Sequence, residues 1–478
     1  MDTIQDAKAE RTRPSSERTG VRERPGATER AARYVADTPF DGAPADLTHE
    51  VRRAIVDLFA ATIAGRNDPG FRALHRVVAE DMKPGPCTVI ATGEKTTPSS
   101  AALLNGAAGH ALDYDDVSDT LYGHPTVTIV PPVLAMAESR GLSGREVVEA
   151  YSIGFDVAYA IALALPAFPH FDRGWHATAS IGVMSATAAL CRLMKLSVAQ
   201  TRNALGIAGS MVVSSRQNFG TMTKPLHPGL SSANAVLAAR LAERGFTADP
   251  DQLEKPLGYF AVFGVNSDVD KLHESLDAPF ALLRNGLSFK KFPCCYNTHR
   301  TGDAAIALAA RMGPELVRRI DSVTATLSPT VTNALIHHRP TTGLQGKFSG
   351  EYVIAAALLD GRLDLPSFVD ASVQRSDVQA LIRKVELRES PTPPVGPAEW
   401  EFAYSVLEAT AGGKVFRERV DIPRGDCRNP LSDGELDQKF ESAVEFADAG
   451  WNANALLQEV RAIPERTKLD GFSQITAK

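Results

Sequence analysis

Residues 105–125 (NGAAGHALDYDDVSDTLYGHP) gather His110, Asp113, Asp115, Asp116, Asp119 and His124 within fifteen positions. Read as a continuous helix, the stretch sets Asp115 beside Asp119 and Asp113 beside Asp116. Like charges at that spacing cost about 0.2–0.5 kcal/mol per pair unless something neutralises them. Three readings compete. Asp115-Asp116-Val117-Ser118-Asp119 matches the DDxxD pattern with which all-helical isoprenoid synthases hold Mg²⁺ and a diphosphate. The second aspartate-rich motif that such a site needs is not found. Alternatively, Asp113 and His124 act as acid, base or orienting groups in a metal-free site. Solvated aspartates at a helix end would give the same letters.

Three further segments carry groups suited to anionic substrates. Residues 214–229 (SSRQNFGTMTKPLHPG) read as a loop between helical stretches, with Arg216, Lys224 and His227 among Gly and Pro. Pro225 and Pro228 stiffen such a loop and fix the directions of Lys224 and His227, which suits a substrate with several carboxylates. Residues 290–299 (KKFPCCYNTH) offer Lys290 and Lys291 beside Cys294 and Cys295; the thiols read as buried and inert rather than nucleophilic. In Gly174-Trp175-His176 the histidine opens a helix. Lys347-Phe348-Ser349-Gly350-Glu351-Tyr352 opens another, from whose start Tyr352 could donate a proton.

These segments must be positioned by helices. Val51, Ile55, Leu58, Phe59 and Thr62 recur at helical spacing and Gly65 follows as a stop signal. Apolar, Ala-rich stretches follow at 100–112, 129–140, 145–165, 177–195, 198–212 and 230–244. After about 286 the pattern changes. Residues 322–328 (SVTATLS) and 384–388 (KVELR) read as strands, and 402–409 and 414–420 flank Gly412-Gly413, a hairpin signal. Helical stretches at 302–312 and 350–359 lie between them. Ser432 and Glu435 form a capping-box pattern that opens a final helix. The expected architecture is mainly α: a large, discontinuous all-helical domain (29–285 and 429–478) with a smaller α+β domain (286–428) inserted as a lid. Residues 1–28, rich in charge, Ser, Gly and Pro, read as a disordered tail.

Composition narrows the function classes. The 478 residues carry a net charge of −6, which offers no basic footprint for nucleic acid. No uninterrupted apolar run of membrane-spanning length occurs. Five cysteines without a CxxC pair suggest neither a disulfide framework nor a structural zinc site, and the reading is a cytoplasmic protein. GxGxxG after a strand, GxxxxGK[ST], HExxH and GxSxG are missing, which withdraws the usual support for NAD, ATP, zinc-protease and serine-hydrolase readings.

Taken in order, NGAAGHALDYDD with HPT, GWHATASIG, MTKPLHPG, KFPCCYNTH and KFSGEYVIAAALLDG resemble the MmgE/PrpD family over about residues 30–465. The resemblance implies a helical domain with an α+β lid, a homodimer, no metal or organic cofactor, and a small polycarboxylate as substrate. It implies His124 as the main acid/base with Asp113 orienting it. It further implies His176, His227, Lys224 and one of Lys290 and Lys291 in the pocket, and Tyr352 assisting proton transfer; Arg216 is an added candidate for substrate binding. Dehydration of the 2-methylcitrate kind is the first expectation. Decarboxylation of the cis-aconitate kind and epimerisation of the iminodisuccinate kind are the alternatives. Two departures place decarboxylation second: Val117 stands where decarboxylases of the animal type carry threonine, and Cys295 where that branch carries histidine. The remaining rivals are a Mg²⁺-dependent isoprenoid synthase and a non-catalytic binding protein.

Overall fold

The computed structural model describes residues 24–390 and 403–476. The protein is mostly helical with one small mixed sheet. The expected helices are present as Ala45–Ala64, Pro98–His110, Thr126–Arg140, Gly144–Ala164, Ala177–Leu193, Val198–Gly209 and Thr223–Glu243. Their ends follow local chemistry. Ser143 with Glu146, Ser197 with Gln200 and Ser432 with Glu435 form reciprocal capping boxes. Gly141 closes its helix in the left-handed conformation at φ 62°. The tail expected over 1–28 falls outside the described residues as far as 23, and its last two residues already belong to the helix Ala27–Asp37.

Apolar side chains fall mainly into two cores. The larger is built from the helices above and includes Leu436, Phe440 and Val444 of the final helix pair. The smaller packs the helices His299–Arg318 and Gly350–Asp360 on a four-stranded sheet. After a short hairpin of β1 (Cys87–Thr88) and β2 (Lys95–Thr96), that sheet consists of β3 (Ile320–Leu327), β4 (Val385–Glu389), β5 (Ser405–Ala411) and β6 (Lys414–Val420) in the order β4-β3-β5-β6. β3 pairs parallel with β4 (Val323 opposite Val385) and antiparallel with β5 (Ala325 opposite Leu407). The β5–β6 hairpin turns through Gly412 and Gly413, both at positive φ, as the Gly-Gly signal requires. The chain passes between the cores from Phe289, in the larger, to Phe292, in the smaller.

Two close crossings bring the polar segments together. A Cβ on Gly106 would lie 2.9 Å from the Gly229 Cα, and one on Gly229 would lie 2.5 Å from the Leu103 carbonyl oxygen. The helices Pro98–His110 and Thr223–Glu243 therefore touch backbone to backbone, which sets the end of the first, His110, against the start of the second, Lys224. At Gly123 an added Cβ would meet the Thr178 amide nitrogen at 2.8 Å, so the loop before His124 lies directly on the helix that His176 opens. Among the described residues one helix, Gly144–Ala164, is long and apolar enough to cross a membrane, yet 83% of its most apolar window is buried.

Candidate active site

The helix carrying the aspartate cluster ends at His110, and residues 111–125 form a loop pinned by Val117 pairing with Ser288 and Ser118 with Gly123. This corrects the helical reading of the cluster. Asp113 adopts φ 53°, and the aspartates diverge instead of sharing a face. Asp115 lies between two histidines. Asp116 accepts at 3.4 Å from the Thr126 amide. Asp119 is exposed. A DDxxD cation site needs these carboxylates to converge, and they do not.

What converges instead is a relay of buried groups. Asp115 lies 2.9 and 3.0 Å from His110 Nδ1 and 3.2 Å from His124 Nδ1. Lys224 Nζ donates to His110 Nε2 at 2.8 Å and to Asp113 Oδ1 at 2.5 Å. Lys290 Nζ lies 3.0 Å from Asp113 Oδ2 and donates to the Asp113 carbonyl at 2.9 Å. His124 Nε2 stands 3.8 Å from Asp113 Oδ1. With Asp115 facing both Nδ1 atoms, each ring carries its proton there. His110 Nε2 then accepts from Lys224, and the His124 Nε2 lone pair is left for the cleft.

The charges follow from burial and neighbours. Burial works against ionised Asp113, but Lys224 and Lys290 hold its carboxyl well below the usual carboxylate range. Burial opposes ionisation of Asp115 too, and His110 and His124 outweigh it. Burial pushes His110 down to about 3 and lowers His124, although Asp115 pulls both the other way. Burial would lower Lys290; Asp113 and Asp115 reverse that and raise it. At neutral pH Asp113 and Asp115 are thus ionised, Lys290 carries its proton and the imidazoles of His110 and His124 are neutral.

These groups open on a cleft with about 570 Å³ of empty space, lined among others by Asp113, His124, His176, Lys224 and Lys290. His176 Nδ1 lies 3.1 Å from His227 Nδ1, behind the lining. The Pro-rich segment is less of a loop than expected. The helix starts at Thr223, so Lys224 and His227 sit in its first turns, and Pro225 falls among the positions whose amides have no intrahelical partner. A lysine at the positive end of a helix is disfavoured by the dipole, and the contact with Asp113 offsets that.

Of the two neighbouring lysines, Lys290 faces the site; Lys291 pairs with Asp303 at 2.9 Å. Arg216 stacks on the Phe171 ring at 4.2 Å without lining the cleft. Tyr352 is not brought to it either. Its side chain packs in the smaller core, and its hydroxyl donates to the Ser367 carbonyl. Cys295 lines the cleft, with burial pushing its thiol up to about 11, as an inert thiol requires.

Sequence reasoning gave His110 and Asp115 no role in acid–base chemistry, although the spacing from a helix-closing histidine to an aspartate five residues on was visible. It missed Tyr122, Phe171 and Phe219 in the cleft, which sit on irregular or short segments without periodicity. It also missed Lys439, whose ammonium donates to Asp57 (2.6 Å) and to the carbonyls of Tyr114 (2.7 Å) and Lys290 (2.9 Å), clamping the backbone on both sides of the relay.

Among the described residues His110, Asp115 and His124 form a group with ligand atoms close enough to hold a metal ion. Both His110 nitrogens are already bonded, to Asp115 and to Lys224. A cation there would also face Lys224 and Lys290, so the donor set fits a hydrogen-bond relay better than a metal.

Comparison with known proteins agrees with the resemblance. The MmgE/PrpD N-terminal domain matches residues 29–271 and the MmgE/PrpD C-terminal domain residues 292–460; the chain belongs to the MmgE/PrpD family. It is 29% identical over 352 residues to the cis-aconitate decarboxylase of Homo sapiens, covering 72% of each chain. It is 30% identical over 363 residues to that of Mus musculus (72% of this chain, 71% of that one). With the cis-aconitate decarboxylase of Aspergillus terreus it shares 26% identity over 386 residues (76% and 79%).

Proposed function

We propose that the protein is a lyase acting on a small di- or tricarboxylic acid by proton transfer at a carbon next to a carboxylate, with decarboxylation as the first reading. One observation carries the chemistry: neutral His124, backed by Asp115, faces a cleft in which Lys224 and Lys290 present ammonium groups. The kinship with cis-aconitate decarboxylases supports loss of CO₂ over the dehydration that the sequence put first. Dehydration is the second reading, because Val117 and Cys295, the two departures from the animal decarboxylases, both line the cleft.

In decarboxylation the bond to the departing carboxylate breaks, its electron pair moves into the adjacent unsaturated acid, and carbon receives a proton. Lys224 and Lys290 hold the remaining carboxylate and the charge that develops on it. His124, charged once the substrate's carboxylates enter, delivers the proton. In dehydration the neutral ring removes the proton instead and hydroxide leaves. Asp113 fixes the two ammonium groups, and Lys439 holds the backbone that carries Lys290. In this proposal the smaller α+β unit acts as a lid, and the protein works as a cytoplasmic homodimer, which light scattering of the purified protein tests.

Proton NMR in D₂O with cis-aconitate, citrate, 2-methylcitrate and iminodisuccinate, in chelator, tests the reading. Itaconate-type signals mark a decarboxylase and vinyl signals from a hydroxy acid mark a dehydratase. Deuterium entering iminodisuccinate without a new skeleton marks an epimerase. His124→Ala is expected to lose at least a hundredfold in turnover with an unchanged unfolding transition; near-normal turnover in that variant refutes the assignment.

A further inference from the structure

We propose that the cleft takes a carboxylic acid bearing an apolar arm longer than a methyl group, with the acid head at Lys224 and Lys290 and the arm along Phe348, Phe219 and Phe171. The inference rests on the acid-binding reading above and specifies its substrate class.

Three of the lining rings form a continuous row. Phe348 and Phe219 have centroids 5.7 Å apart, Phe219 and Phe171 6.0 Å, and Tyr122 continues the row at 4.6 Å from Phe171. The row begins at the polar end of the cleft. Lys224 Nζ stands 5.2 Å from the centroids of both Phe219 and Phe348. A carboxylate held by Lys224 therefore places its neighbouring carbons at the start of an aromatic wall.

Charge points the same way. Four charged side chains line the cleft, and the ammonium groups of Lys224 and Lys290 are balanced by the carboxylates of Asp113 and Asp119. In the free cleft the imidazoles of His124 and His176 add no positive charge at neutral pH, since burial lowers both. A second or third carboxylate lying along Phe348 and Phe219 would face the negative π-faces of the rings; the Arg216 guanidinium, over the Phe171 ring at 4.2 Å, lies outside the lining. A hydrocarbon arm there gains from leaving water.

The test is calorimetric titration of the full chain with 2-alkylsuccinates carrying methyl, butyl and hexyl arms, which needs no turnover. The expected result is a Kd that falls about fourfold per added methylene, the ratio that about 0.8 kcal/mol per buried methylene implies. The slope should flatten in Phe219→Ala and in Phe171→Ala. Phe219→Leu, which keeps the volume apolar and folds more safely, should retain most of it. A flat or reversed slope in the wild type overturns the proposal, as does an unchanged slope in both alanine variants. The corresponding neutral 2-alkylsuccinamides separate the two readings. If they bind as tightly as the acids while the slope persists, the carboxylate head fails and the proposal falls with the acid-binding reading. If the acids bind far better than the amides but without a slope, the acid-binding reading stands and the arm alone is refuted.

Discussion

Asp115 lies against Nδ1 of two imidazoles at once, which fixes the protons on both rings and turns the His124 Nε2 lone pair toward the cleft. The same carboxylate opposes the burial that lowers His124, while Lys290 and Lys224 act with burial. The sign of each substitution follows. In the wild type the His124 ring titrates below the ordinary histidine value. Asp115→Asn removes the stabilising charge and moves the titration to still lower pH. Lys290→Gln removes a repelling charge and moves it up. NMR of ring-labelled histidine across pH 3–8 reads all three directly, and a rise in Asp115→Asn would contradict the relay. The residue types of this network were legible in the sequence, since the aspartate cluster, the TKPLH segment and the lysine pair were all candidates. The connections among them were not. Whether Lys290 or Lys291 turned inward, and whether Asp113 or Asp115 met His124, depends on a loop whose Asp113 sits at positive φ, which no helical or strand period announces.

The helices Pro98–His110 and Thr223–Glu243 determine whether that network exists at all, because Lys224 reaches His110 and Asp113 only while Gly106 and Gly229 let the backbones touch. Gly229→Ala sets two effects against each other. Alanine in a helix interior is worth about 1 kcal/mol over glycine, but its Cβ would lie 2.5 Å from the Leu103 carbonyl oxygen and 3.1 Å from the Ala107 amide. Backbone atoms cannot swing aside as a side chain can, and overpacking of this kind costs about 1–3 kcal/mol. The clash wins. Gly229→Ala is expected to unfold at lower urea and to lose turnover more steeply than stability, since the helices separate beside the Lys224–Asp113 contact. Unchanged urea midpoint and turnover would mean that the crossing is looser than its geometry. Elements themselves were the most readable level of this chain. Capping boxes at Ser143, Ser197 and Ser432 and the Gly412-Gly413 turn are local signals acting over a few residues. The helix start at Thr223 was hidden because Pro225 and Pro228 look like loop residues, although Pro225 falls in the first turn, where proline is tolerated, and Pro228 lies inside the helix. The contact between Lys439 and Asp57 spans 382 positions and leaves no local trace.

Across the whole molecule the cleft draws on both cores. Asp113, His124, His176 and Lys224 come from segments around the larger one, whereas Cys295 and Phe348 pack in the smaller. Phe171 and Phe219 cross over, since they lie in the helical part of the chain yet pack in the smaller core. A carboxylate ligand that touches both sides ties the stability of one core to the other. A ligand that binds only the native state adds RT ln(1 + [L]/Kd), about 2.7 kcal/mol at a hundred times Kd. Scanning calorimetry with saturating 2-alkylsuccinate is therefore expected to shift the unfolding upward as one transition. The shift should be lost in a Lys224→Met/Lys290→Met variant, in which Asp113 has no ammonium partner and the ligand has no head site. If instead the ligand raised only one of two separated transitions, the cleft would be a site of one core alone. The smaller unit could then not act as a lid, because closing over a substrate requires that the bound acid be felt from both sides.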